Sequence, residues 1–215
     1  MIRKININEL TEVLPIFPLP GAIVLPNGNL PLNIFEPRYI SMIDSVLGSH
    51  RMIGMVQPHK KKGNEDSLYP VGCAAKIIAF SETSDNRYLL ELRGVIRFKI
   101  IKELKITKGF RNIKPDWLSY KRDLLLNFEK VDILTLLNQL KVYFKDNNIS
   151  ADFSEISKIS NEQIIAAVPQ ICSFTPVEKQ AILEAESEQD IVNVLTSLLK
   201  MNLSGDNESN AQTIN

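Results

Sequence analysis

Residues 71–101 read VGCAAKIIAFSETSDNRYLLELRGVIRFKII, and this stretch decides the fold class. Two long runs rich in Val, Ile, Leu and Phe, Val71 to Glu82 and Tyr88 to Ile101, flank the compact polar turn Thr83-Ser84-Asp85-Asn86. β-Branched and aromatic residues suit a pleated strand, and a short polar turn between two such runs predicts an antiparallel hairpin. In the second run Leu90, Leu92 and Ile96 form the apolar side, while Glu91, Arg93 and Arg97 alternate to the other. Gly94 marks a bulge or a bend within it.

Outward from the hairpin on its N-terminal side, shorter apolar runs follow the same pattern. Val13 to Leu19, Ala22 to Leu25 and Arg51 to Gln57 read as strands, punctuated by Pro15, Pro18, Pro20, Pro26 and Pro31. Proline donates nothing to a ladder, so these are edge or bulged strands, with turns at Pro20-Gly21 and Asn27-Gly28. One helix interrupts them. Pro37 suits a first helical position, Tyr39, Ile40, Ile43 and Leu47 follow at helical spacing, and Gly48 is a natural stop. Strands at this density predict a small barrel or pseudo-barrel.

Downstream the period changes. Ile133, Leu137, Leu140 and Phe144 make one helical stripe. Ser160 with Gln163, Thr175 with Glu178 and Ser187 with Asp190 carry the capping-box pattern, the last with a shorter acid. Ile191, Leu195, Leu198 and Leu199 supply the apolar face of a final helix. The expected organisation is α+β: a β subdomain over 1–122, an α-helical bundle over 123–203, and a frayed polar tail over 204–215.

The formal net charge is zero, but it is unevenly spread. Residues 1–128 hold 19 Lys+Arg against 12 Asp+Glu, a balance of +7; residues 129–215 hold 6 against 13, a balance of −7. Two readings stand: the halves attract one another, or the β half offers a positive face to an acidic partner. No run of about 18 apolar residues exists, so no membrane span is expected. No apolar run follows the basic N-terminus, which does not read as a secretory signal. Cys73 and Cys172 are expected as buried free thiols, in keeping with a cytoplasmic protein.

The chain offers little catalytic chemistry. No phosphate-binding glycine loop, nucleophile elbow or zinc-protease motif occurs, and two Cys and two His (His50, His59) show no metal-ligand spacing. The carboxylate groups Glu65/Asp66 and Glu184/Glu186/Glu188 read as solvated or helix-start charge. No catalytic residue, cofactor or metal is expected. The binding candidates are His59, Lys60, Lys61 and Lys62, in a polar loop that could meet phosphate or an acidic peptide, or be simply solvated. Trp117 and Tyr120 read either as a contact patch or as half-buried core.

Several segments, in order, resemble the opening of the Lon protease substrate-binding domain. They are Leu14-Pro-Ile-Phe-Pro-Leu19, Val24-Leu25-Pro26, and Leu30-Pro31-Leu32-Asn33-Ile34-Phe35-Glu36-Pro37-Arg38-Tyr39. Ile53-Gly54-Met55-Val56, Tyr69 to Ile77, and Leu90 to Phe98 continue the likeness, and Glu178-Lys179-Gln180 through Leu183-Glu184 resembles a helix of its α part. The resemblance spans roughly residues 13–200 and implies a PUA-like β pseudo-barrel followed by a helical bundle. In the full protease an ATPase and a Ser-Lys peptidase follow; this chain stops before either, so the resemblance implies recognition without hydrolysis. The implied partner is an unfolded polypeptide or a partner protein, a protease among the candidates, bound at a sheet edge or in a groove. RNA binding by a PUA-like barrel is the alternative, favoured by the charge of the β half and opposed by scarce stacking residues. Within the motif, Phe35, Glu36, Arg38 and Tyr39 form a strand-to-helix joint that could also border a groove.

Overall fold

The computed structural model describes residues 6–59, 67–106, 108–125, 131–156 and 158–211, with 204–211 as backbone only. Lys60, Lys61 and Lys62 lie outside the described residues. The chain divides into two compact units, residues 1–126 and 127–215.

The first unit contains β1 (Leu14–Pro18), β2 (Asn29–Ile34), α1 (Pro37–Leu47), β3 (Met52–Val56), β4 (Val71–Glu82), β5 (Tyr88–Glu103) and β6 (Arg111–Asp116). β4 and β5 form the expected hairpin, turning at Asn86, whose φ of 59° suits an asparagine. β5 is long enough to serve three neighbours. Its first half pairs with β2 and β4, and its far end with β6. β6 continues antiparallel to β1, β1 runs parallel to β3, and β3 returns antiparallel to β4. The ring β5–β4–β3–β1–β6 thus closes on itself, and β2 remains outside it as an edge strand. The parallel β1–β3 pair needs a long crossover, which the segment containing β2 and α1 supplies.

One cluster of buried side chains comprises Leu10, Leu14, Ile16, Met52, Val56, Ala74, Ile96, Phe98 and Ile113. Phe98 lies over two glycines: a Cβ on Gly72 would sit 2.6 Å from its ring, and one on Gly54 would sit 3.0 Å away. Burying a phenyl group of this kind stabilises by about 1.5–3 kcal/mol.

Two strand readings need correction. The alternation in β5 does not run unbroken through Arg97. Ala75 pairs with Gly94 but Ala74 with Ile96, so Val95 is an extra residue and the faces exchange there. Arg97 therefore shares a face with Leu92 and Gly94, opposite Cys73, and it is buried. The segment Ala22 to Leu25 is not a strand; its backbone crosses β5 at Gly94. A Cβ there would lie 2.1 Å from the Leu25 carbonyl oxygen, which only glycine permits. Asn27 N–H donates to Gly94 O, and Gly94 N–H to Gly28 O, both at 2.8 Å.

α1 starts at Pro37 and ends at Leu47 as the sequence implies, but Gly48 stays right-handed; the left-handed residue after the helix is Arg51, with φ of 57°. After β6, two short 3-10 turns span Leu118–Leu125 with a break at Tyr120. Here Asp123 meets Arg97. The backbone N–H and Nη2 of Arg97 donate to Asp123 at 2.8 Å and Nε at 2.9 Å. The Arg97 guanidinium also lies 4.4 Å above the Tyr120 ring centre. Trp117 is half-buried, its ring edge-on to Phe98 and its Nε1–H donated to Thr11 O at 3.0 Å.

The second unit contains α2 (Leu134–Asp146), α3 (Phe153–Ile156), α4 (Asn161–Ile171), α5 (Pro176–Glu184) and α6 (Glu188–Ala211). α2, α4 and α5 pack on α6, whose Ile191, Leu195, Leu198 and Leu199 are buried. The α2 stripe is Ile133, Leu136, Leu140, Tyr143 and Phe144; Leu137 is only half-buried. Ser160 and Thr175 close complete capping boxes with Gln163 and Glu178. The two units divide after residue 126, and Asp123, which pairs with Arg97, lies in the first. The backbone of α6 runs as far as Ala211.

Candidate binding site

Tyr39 is the third residue of α1. Its ring turns inward and meets Phe17 of β1 edge-on, with centroids 4.3 Å apart. Burial holds its phenol above the ordinary tyrosine range, against the opposing charge of Arg38. Arg38 stays at the surface, its guanidinium 4.6 Å above the Tyr39 ring and 2.7 Å from Glu36 Oε2. Both partners are substantially exposed, so this pair fixes an orientation more than it stabilises.

Facing Arg38 is the end of the β5–β6 hairpin. Arg111 clamps Glu103 through Nε at 2.9 Å and Nη2 at 2.6 Å. The connection between these strands bends through Gly109, whose φ is 81°, and buries Phe110. Between the two banks lies a half-open groove of about 520 Å³, with Pro18, Pro58, Leu68 and Phe110 as apolar lining and Ile106 at its edge. Its lining among the described residues offers apolar contact, guanidinium and carboxylate groups. The two thiols lie elsewhere and are buried: burial raises the pKa of Cys73 and pushes that of Cys172 up to about 12, so neither is a thiolate at neutral pH.

The structure brings together part of what the sequence singled out. Arg38 and Tyr39 line the groove. Pro58 and Leu68, which pair as an isolated antiparallel bridge, also line it. His59 stacks on Tyr69 with ring centroids 4.4 Å apart, and its N–H donates to Ser67 O at 2.7 Å. Phe35 does not join them. Ile34 takes the inward position at the end of β2, so Phe35 turns outward, 64% exposed, with Arg87 5.8 Å above its ring. Glu36 flanks the groove only through Arg38. Glu103, Ile106, Phe110 and Arg111 were missed by sequence reasoning; the one available signal was an acid and an arginine eight apart across a tight β connection.

The class this defines is a closed β barrel with an accessible groove, accompanied by a helical unit. The chain belongs to the family of the ATP-dependent protease La (LON) substrate-binding domain, whose model matches residues 13–201. It is 22% identical over 201 residues to the Lon protease of Syntrophus aciditrophicus, covering 90% of this chain and 22% of that protein. It is 29% identical over 100 residues to the Lon protease of Anaeromyxobacter dehalogenans, covering 45% of this chain and 12% of that protein. The chain thus spans about a fifth or less of the length of these relatives. Among solved structures it is similar to a Lon N-terminal domain protein from Xanthomonas campestris, with TM-score 0.59, 17% identity, and coverage of 87% of this chain and 97% of that one. It is also similar to the N-terminal domain of Mycobacterium avium complex Lon protease, with TM-score 0.62, 15% identity, and coverage of 87% and 98%. The α+β expectation holds. Among the described residues, no helix is long and apolar enough to cross a membrane.

Proposed function

We propose that this chain binds unfolded polypeptide in the groove between α1 and the β5–β6 hairpin, and performs no bond chemistry of its own. The observation that carries the proposal is the lining of that groove. Apolar side chains from four separate segments converge on one recess, bordered by Arg38, Glu103 and Arg111. Its volume lies in the range of about 300–1,000 Å³ typical of ligand clefts, which admits a few side chains rather than a folded surface. Apolar contact with a charged border suits an unfolded segment, whose apolar residues are exposed and whose backbone still needs polar partners. Membership of a substrate-binding family supports the same reading. Two buried thiols fit a reducing compartment, and we place the protein in the cytoplasm.

Fluorescence anisotropy tests this with a reduced, carbamidomethylated protein as the unfolded probe and its native form as control. The unfolded form is expected to bind and the native form not to. Ile106→Asp, at a position 57% exposed and therefore tolerant of substitution, is expected to weaken binding at least severalfold. Equal binding by wild type and variant would remove the groove from the proposal, and no binding by wild type would remove the function.

A further inference from the structure

Between residues 99 and 114 a basic residue stands at every third position: Lys99, Lys102, Lys105, Lys108, Arg111 and Lys114. A spacing of three would scatter these side chains over both faces of a regular strand. β5 is not regular here. Ile100 pairs with Pro115 and Lys102 with Lys114, so Ile101 is an extra residue and the faces exchange. Lys99 and Lys102 therefore share one face, with Asp116 and Lys114 directly opposite them.

The result is a like-charge pair, Lys102 facing Lys114, both exposed. Directly opposed residues hold their Cβ atoms about 4.5–5.5 Å apart, and like charges there destabilise the sheet. The nearby Glu103 is committed to Arg111, and the Asp116 carboxylate to Ser119 Oγ at 2.6 Å and to Leu118 N–H at 2.9 Å. Among the described residues no carboxylate forms an ion pair with Lys102, Lys105, Lys108 or Lys114. The face continues along β6 through Asn112 into a second recess, of about 480 Å³, which Lys105, Lys108 and His50 line.

We infer that the outward face of the β5–β6 hairpin, centred on Lys102 and Lys114, binds acidic polypeptide segments. The inference rests on the polypeptide-binding reading above and narrows its substrate class. A carboxylate placed between the two ammonium groups removes their repulsion and gains two ion pairs at once. β6 has a strand partner on each side, so recognition here works through side chains rather than strand addition. The same charges could attract nucleic acid, but the aromatic rings near this face are occupied. Trp117 is held by Thr11 and Phe98, Tyr120 lies under Arg97, and Phe110 is buried, so these rings offer no platform for base stacking.

The test is fluorescence anisotropy on the full chain with four probes: a Glu-Ser repeat peptide, its Gln-Ser and Lys-Ser counterparts, and a single-stranded RNA. The Glu-Ser peptide is expected to bind best and to weaken as salt rises. Lys102→Glu with Lys114→Glu is expected to weaken it about tenfold or more, and Lys102→Gln with Lys114→Gln by less. The Gln variant removes the repulsion and should unfold thermally no earlier than wild type, whereas the Glu variant exchanges one like-charge pair for another and should unfold close to wild type. Equal affinity for the Glu-Ser and Gln-Ser peptides overturns the inference. So does tighter binding of RNA, or Glu-Ser binding that the double variants leave unchanged. The carbamidomethylated probe separates the two readings. If the lysine variants still bind it and Ile106→Asp does not, while the Glu-Ser peptide fails to bind, this inference falls and the groove stands.

Discussion

Arg97 and Asp123 show how much one residue's placement depends on its partner. The guanidinium is 2% exposed and the carboxylate is fully enclosed, and the two are joined by a bidentate pair through Nε and Nη2. Removing both charges can be nearly neutral for stability, but removing one leaves the other buried without compensation. Asp123→Ala is therefore expected to cost about 3–5 kcal/mol in chemical denaturation, and Arg97→Met added to it should restore most of the loss. A single-variant cost below about 1 kcal/mol would contradict the buried pair. Sequence reading placed Arg97 on the polar side of its strand because alternation is the only local rule available. The Val95 bulge that reverses the faces, and a carboxylate 26 positions away, are not local.

At the level of elements, local chemistry was far more legible. Ser160, Thr175 and Ser187 each accept from the backbone N–H three residues on, and Gln163, Glu178 and Asp190 each return a bond to the capping residue. These bonds join residues three apart, so their pattern is written in the sequence itself. Ser160→Ala and Thr175→Ala are each expected to lower stability by about 1 kcal/mol in urea titrations followed by circular dichroism. Because they cap different helices, the double variant should show roughly the sum. A double variant no less stable than either single one would show that these caps do not act independently. The strands were less legible at their irregular points. Gly94 announced its bulge, whereas the register shifts beside Ile78 and Ile101 carry no glycine and pass unseen in sequence.

For the whole molecule, the division after residue 126 carries the clearest consequence. The first unit holds a closed ring of strands, its own apolar cluster, and both recesses. Expressed alone, residues 1–126 are expected to give a β-type circular dichroism spectrum, to melt cooperatively, and to retain the binding that Ile106→Asp weakens. Absence of a cooperative melt would show that the helical unit is needed for the barrel to fold. The sequence by itself determined the kind of each unit, the β4–β5 hairpin, the ends of α1 and the helix caps, since these arise between residues a few positions apart. Only tertiary structure decided that Ala22 to Leu25 crosses β5 instead of pairing as a strand, that Phe35 leaves the groove while Arg38 and Tyr39 border it, and that Lys102 meets Lys114. Those outcomes depend on strand register, and a one-residue shift exchanges the two faces of a strand.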